Sequence, residues 1–207
     1  MKILLLGATG MVGSRVAAEA RNRGHEVTGV TRTGSDGTEA AHAKDADAIA
    51  RLAAGHDAVV MSIVPPRDGS DPTEGLLESA RGVVEGMRRA GVKRLVIVGG
   101  AGSLEVAPGT RLVDTPEFPQ EYKREALAQA ELLGVVRERF GDLEWTYISP
   151  AIVIEPGERT GGYRVGGDEV LFDAEGNSRI TAEDFAIGLV DILEKGEAVR
   201  RRITLAH

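Results

Sequence analysis

The sequence predicts a doubly wound α/β fold on a parallel sheet, and three observations carry that expectation. Apolar runs of strand length alternate with segments of helical period as far as residue 150. The runs are continuous rather than alternating, as strands covered on both faces require. The first run turns directly into a glycine-rich loop that opens a helix. A chain of 207 residues is long enough to bury a full core as one domain, residues 1–207.

Each element has its own warrant. Residues 2–6 form a short apolar strand that ends at Gly7. Residues 11–23 have helical period, with Val12, Val16 and Ala20 on one face and Gly24 as the stop. Residues 25–31 read as the second strand. Residues 45–54 make an Ala-rich helix that Asp45 can cap. Residues 57–64 are a strand stopped by Pro65 and Pro66. Residues 73–90 form a helix closed by Gly91, and residues 93–98 a strand ending in Gly99-Gly100-Ala101-Gly102. A long helix covers 120–139, and a strand covers 143–149 before Pro150. Past Pro150 the pattern changes. Residues 150–180 read as a small, Gly-rich substrate-side region with short strands at 163–165, 169–172 and 178–180. A last helix starts at Thr181, and a final strand runs from 202 to 206. In that helix Glu183, Asp184, Asp191 and Glu194 read as a solvated face around an apolar stripe.

Composition excludes several classes of function. The absence of cysteine removes disulfides, thiolate metal sites and thiol nucleophiles. A net charge of −7, with only 4 Phe, 3 Tyr and 1 Trp, argues against a nucleic-acid partner. No run reaches the roughly 18 apolar residues that cross a membrane, so neither a membrane partner nor a membrane location is expected. Met1–Leu6 reads as a buried strand rather than a leader, because Gly7 interrupts it at once. The expected location is cytoplasmic. Four scattered histidines offer no metal spacing. No Gly-x-Ser-x-Gly elbow and no Gly-Lys-Ser/Thr loop is present.

The most informative stretch is Gly7-Ala8-Thr9-Gly10-Met11-Val12-Gly13, between a strand and a helix. A pyrophosphate sits on free N–H groups at a helix N-terminus, which is the setting here. Gly7 permits the tight turn, Gly10 the approach of phosphate, and Gly13 close helix–strand packing. Thr9, Met11 and Val12 complete the cofactor-binding turn. At the end of the second strand an NAD enzyme usually carries an acid. This chain carries Arg32, 19 residues beyond Gly13, which can clamp a 2′-phosphate. Thr33 and Ser35 can add hydroxyl donors, and Arg15 can add charge. The expected cofactor is therefore NADP (as NADPH) rather than NAD.

Four segments together resemble one family: Gly-Ala-Thr-Gly-Met-Val-Gly at 7–13, Val-Gly-Gly-Ala-Gly-Ser at 98–103, Trp-Thr-Tyr-Ile-Ser-Pro at 145–150 and Pro-Gly-Glu-Arg-Thr-Gly at 156–161. They are similar to the atypical short-chain dehydrogenases/reductases, the flavin-reductase-like and biliverdin-IXβ-reductase-like group. The resemblance spans essentially the whole chain. It implies a Rossmann-like fold. It implies that Ile63 and Val64 lie near the cofactor, and that Pro150 and Ala151 lie against its nicotinamide. It also implies that Ser103 is the active-site serine.

One departure bears on the chemistry. Most catalytic members of the superfamily carry Tyr-x-x-x-Lys on the helix beginning near residue 120. Here Tyr122 is followed four places later by Ala126, and Pro119 stands four places before Lys123. A ketone needs a positioned acid, whereas a flavin, quinone or bilin delocalises the incoming charge. The expectation is an NAD(P)H-dependent reductase of a small conjugated acceptor, FMN and FAD among the candidates, with Ser103 and Tyr122 in the catalytic region. Leu104, Phe118, Tyr122 and Tyr163 are candidates for the acceptor's wall, and Arg159 and Arg164 for contacts to a flavin phosphate. The alternative is an NADP(H)-binding sensor or regulatory protein without turnover. The sequence leaves the oligomeric state open.

Overall fold

The computed structural model describes residues 1–34, 37–65 and 71–207. In chain order the elements are β1 (Lys2–Leu6), α1 (Met11–Asn22), β2 (Glu26–Thr31), β3 (Glu39–Ala40), α2 (Ala46–Ala53), β4 (Ala58–Met61), α3 (Pro72–Ala90), β5 (Arg94–Val98), β6 (Glu105–Ala107), β7 (Thr110–Arg111), α4 (Gln120–Arg139), β8 (Glu144–Pro150), β9 (Val153–Glu155), β10 (Arg164–Gly166), β11 (Arg179–Thr181), α5 (Ala182–Lys195) and β12 (Arg201–Ala206). The main sheet runs β10-β12-β8-β5-β4-β1-β2-β3. Every neighbour pair in it is parallel except β10 with β12. This is the doubly wound arrangement expected, with β1 at the point where the winding reverses.

Local chemistry explains why the helices begin where they do. The Asp45 carboxylate accepts from the Ala48 N–H at 3.0 Å and starts α2. Asp71 does the same for Thr73, with Pro72 occupying the first helical position, where its missing N–H costs nothing. Thr181 caps α5 through the Asp184 N–H at 3.1 Å. Pro66 lies outside the described residues.

Two cores sandwich the sheet. Leu4, Leu6, Val59, Leu95 and Tyr147 face α2, α3 and α4. Ile3, Leu5, Val60, Phe185 and Leu189 belong to the opposite face, with α1 and α5.

The differences from expectation lie mostly at strand ends and in the long connections. β4 stops at Met61, because the last rung with β1 is Leu6 with Met61 and β1 then turns away at Gly7. The loop after β5 contains the hairpin β6–β7, and β9 pairs with β11 in a small parallel ribbon beside the main sheet. Residues 169–172 form no strand. Glu169 makes one isolated bridge to Glu105, and the Val170 N–H donates to the Glu105 carbonyl, so this stretch crosses β6 instead of joining a sheet.

Candidate functional site

The carboxyl ends of the parallel strands form a crest, and the chain leaves β1 there at the reversal point. Gly7 has φ +82°, and a Cβ on it would lie 2.0 Å from the Ser62 carbonyl oxygen. A Cβ on Gly13 would lie 2.1 Å from the Gly7 oxygen. The neighbouring strand thus demands the first glycine, and the turn pressed onto α1 demands the third. Gly10 is different. Among the described residues a Cβ there would meet only the Gly7 oxygen, at 3.4 Å, an ordinary contact. The protein itself leaves room for a side chain at Gly10, so the space is a cradle open to a ligand.

α1 begins at Met11 with no side-chain cap and no acid in its first turn. Its orphan N–H groups and the positive end of its dipole are left to an outside anion. Thr9 and Met11 are exposed there, Val12 is half-buried and Gly13 is buried. These residues fit a pyrophosphate.

The other residues singled out in the sequence distribute around this turn. Arg32 and Thr33 follow β2 and are exposed, and among the described residues no partner holds the Arg32 guanidinium. Ser35 lies outside the described residues. Arg15 does not join Arg32, because its Nε donates to Glu183 at 2.5 Å and its Nη1 to the Met11 carbonyl at 2.8 Å. Ile63 is half-buried and Val64 is 59% exposed, just past β4. Pro150 is the last residue of β8, paired with Leu205, and Ala151 is fully buried behind it.

The β5 crest consists of Gly99 and Gly100. Ser103 lies three residues further on and turns under the sheet, where its carbonyl accepts from Arg202 at 3.4 Å. Its hydroxyl is sealed from solvent and has no hydrogen-bond partner among the described residues. Leu104 is likewise fully buried, so it lines no open wall. Tyr122 is 52% exposed in the first turn of α4. It shares a helical stripe with Ala126 and Gln129, at i+4 and i+7. That stripe runs along the crest: a Cβ on Gly102 would come within 2.7 Å of the Ala126 Cβ. The position where the superfamily carries lysine is here closed by helix-to-crest packing.

The Gly-rich segment past β9 is committed elsewhere. The Gly157 N–H donates to Glu183 at 2.8 Å. The Thr160 and Gly161 N–H groups donate to Asp184 at 3.2 and 2.8 Å, joined by the Thr160 hydroxyl at 2.5 Å and His207 Nε2 at 3.0 Å. Arg159 pairs with Glu19 of α1 at 2.9 Å, the Tyr163 hydroxyl donates to Asp191, and Arg164 donates to the His207 carbonyl at 2.9 Å. Residues 157–163 therefore form a strap across α1 and α5. Arg159, Arg164 and Tyr163 are engaged there rather than at the crest.

Of the acids of α5 only Glu194 is exposed, so they are not a solvated face as a set. Asp184 is fully buried, and Arg23 reaches both Asp191 and Glu194, at 2.6 and 2.9 Å. Burial pushes the Asp184 carboxyl up, but the hydrogen bonds from Thr160, Gly161 and His207 outweigh it and leave the group below its ordinary value. Glu183, Asp191 and Glu194 are held low in the same way.

Around the crest, beside the exposed Thr9, Arg32 and Thr33, stand several exposed apolar side chains. Met11 follows β1, Val64 follows β4, Tyr122 opens the helix after β5, and Ile152 and Val153 follow β8; all five are at least 41% exposed. Their clustering at one end of the sheet, spread over four connections, marks a surface suited to an apolar-faced ligand. Among the described residues no group of acids and histidines could hold a metal ion. No described helix is long and apolar enough to cross a membrane.

Known proteins bear on this site. A family model described as NAD(P)H-binding matches residues 7–196. The uncharacterized protein YwnB of Bacillus subtilis (strain 168) is 40% identical over 210 residues, 99% of this chain and 98% of that protein. A crystal structure from Burkholderia pseudomallei, provisionally named an exported protein, superposes with a TM-score of 0.91 at 46% identity, covering 100% of both chains. SP1627 from Streptococcus pneumoniae TIGR4, provisionally named an NADH-flavin reductase, superposes with a TM-score of 0.83 at 36% identity, covering 100% of this chain and 99% of that one.

Proposed function

The chain belongs to the NAD(P)H-binding family, within the atypical short-chain dehydrogenase/reductase group, and from that premise we propose that it is an NADPH-dependent reductase of a flat, conjugated acceptor such as a flavin or a quinone. The observation that carries this reading is the crest: an uncapped helix and an open glycine cradle at one end, exposed apolar side chains around it, and no Tyr-x-x-x-Lys dyad. The name of the pneumococcal relative, an NADH-flavin reductase, supports the flavin acceptor, whereas the choice of NADPH over NADH rests on Arg32.

In this reading Gly7, Thr9, Gly10, Met11, Val12 and Gly13 hold the pyrophosphate, and Arg32 selects the 2′-phosphate of NADP over the free hydroxyl of NAD. Ile63 and Val64 lie along the cofactor, and Pro150 and Ala151 back its ring. When bound, NADPH supplies a hydride, which a quinone or oxidised flavin takes up with one solvent proton to give its dihydro form. The chain's own task is to seat the acceptor and exclude competing reactions. Tyr122 and Phe118 are assigned to the acceptor wall, with Ile152 and Val153 as the contribution of the 150–180 region. Ser103, with its hydroxyl sealed, supports the site from beneath the crest. A cytoplasmic location belongs to this proposal, although the Burkholderia relative bears the name of an exported protein; cell fractionation decides between them.

The experiment is a fluorescence titration of the purified protein with NADPH and NADH, followed by FMN, FAD and menadione in the same cuvette. Tighter NADPH binding with acceptor-dependent loss of NADPH absorbance supports the reading. The sealed Ser103 hydroxyl favours the second reading, a cofactor-binding sensor, and tight binding with no acceptor reduced would replace the reductase by it.

A further inference from the structure

The two crest glycines of β5 serve different neighbours. A Cβ on Gly99 would lie 2.0 Å from the Tyr147 ring, so Gly99 is bare to admit that buried ring beneath the crest. A Cβ on Gly100 would find only Gln129 Cβ and Cγ, at 3.5 and 3.6 Å. Gly100 has no left-handed φ. Neither conformation nor packing requires glycine there, and its bareness leaves a recess between the crest and α4.

At the foot of the recess is Gln129, with only 7% of its surface exposed. The Tyr147 hydroxyl lies 2.9 Å from the Gln129 carbonyl and 3.0 Å from its Oε1, which fixes the carboxamide oxygen inward. Among the described residues no acceptor takes the Gln129 Nε2 hydrogens. The sealed side-chain atoms without partners are His56 Nδ1, Arg94 Nε and Ser103 Oγ; Gln129 Nε2 is not one of them, so it retains an opening to solvent. Its hydrogens therefore meet solvent in the free chain and are available to an acceptor oxygen that displaces that water. Tyr122 lies two turns back on the same stripe, beyond Ala126, which packs on Gly102.

We propose that the Gly100–Gln129 recess reads the acceptor: the missing side chain at Gly100 admits the edge of a flat conjugated ring, and Gln129 Nε2 donates to a carbonyl on it. Flavins and quinones both present such carbonyls beside a planar apolar face. This inference deepens the reductase reading and rests on it. It moves the polar contact with substrate from Ser103, whose hydroxyl is sealed, to a residue on α4.

The test uses the full-length protein and the variants Gly100→Ala, Gly100→Val and Gln129→Glu, with Gly134→Ala as a control in open space on α4. Gln129→Glu keeps an oxygen for Tyr147 and removes the donor. Three quantities are read: FMN fluorescence quenching on protein saturated with NADP, kcat/KM for menadione, and the NADPH Kd. Gly100→Val and Gln129→Glu are expected to lower FMN affinity and menadione kcat/KM at least about tenfold, the scale of one lost hydrogen bond. Gly100→Ala is expected to have a smaller effect without lowering Tm. The NADPH Kd is expected to stay within about threefold. Unchanged FMN affinity and menadione kcat/KM in Gly100→Val and Gln129→Glu would overturn the inference. So would an equal loss of NADPH affinity, which would place the recess under the cofactor. If the wild-type chain quenches FMN but reduces nothing, the reductase reading falls while the FMN comparison still decides the recess. If it binds neither FMN nor menadione, the recess assignment falls.

Discussion

Residues 7–13 and residues 157–162 are both rich in glycine, yet their backbone N–H groups have opposite fates. In the first stretch the Gly7, Ala8 and Gly10 N–H groups bond backbone oxygens, and the chain then turns into α1, whose first-turn N–H groups have no side-chain cap. In the second, the N–H groups of Gly157, Thr160 and Gly161 are taken by the carboxylates of Glu183 and Asp184. One loop is left for an anion from outside; the other already holds an anion of the chain's own. Glycine content therefore does not identify a ligand loop. The test is whether the protein has filled the donors the glycines create.

Substitutions can break this contrast from either side. The largest effect is expected for Gly13→Val, because its Cβ would press on the Gly7 carbonyl at 2.1 Å. Backbone on both sides leaves little to yield, so a loss of about 3 kcal/mol or more in urea unfolding is expected, with cofactor binding lost as well. Gly10→Val separates the two roles. The fold accommodates its Cβ at 3.4 Å, so stability should stay within about 1 kcal/mol while NADPH and NADH binding both fall about 100-fold. Retained binding would mean the cradle is not the phosphate site. Asp184→Ala attacks the strap instead. Its orphaned N–H groups should cost about 1–3 kcal/mol of stability, with the NADPH Kd unchanged.

How far the sequence anticipated this contrast depends on how local each signal is. Asp45, Thr181, Gly24 and Gly91 act within a turn of their own helices, and the helix and strand order follows from such marks. The turn at 7–13 was legible for the same reason: its donors, its glycines and its helix lie within seven residues. The strap was not. Glu19 and Arg159, 140 residues apart, meet only because α1 and α5 are neighbours on one face. Asp184 and Asp191 read as solvated acids because nothing near them in the chain announces Thr160 or Tyr163. At the crest, Ser103 came from the resemblance, which carries no information on how deeply its hydroxyl is buried. Gln129 carries no sequence signal, since its meeting with Tyr147 and Gly100 is purely tertiary.

Arg32→Ala sharpens the description of the first loop. Among the described residues nothing holds the guanidinium away from a 2′-phosphate, and a charge-assisted contact is worth about 1.5–3 kcal/mol, so NADPH affinity should fall roughly 10- to 100-fold. NADH affinity should barely change, and an equal fall for both cofactors would remove the 2′-phosphate assignment. The mildest probe is acid. Glu183, Asp184 and Asp191 are held below their ordinary values of 4.5, 3.8 and 3.8, so their stabilisation is complete above those values and is lost as pH falls through the lower folded-state values. Melting temperature should therefore drop between pH 5 and pH 3, and Asp184→Asn should flatten that drop.

The most direct measurement is amide hydrogen exchange with and without saturating NADPH. New protection is expected at the start of α1, from Met11 to Gly13, and no change at Ser14, Gly157, Thr160 and Gly161, whose N–H groups are already bound. Protection appearing in the strap while the start of α1 stays unchanged would contradict the account.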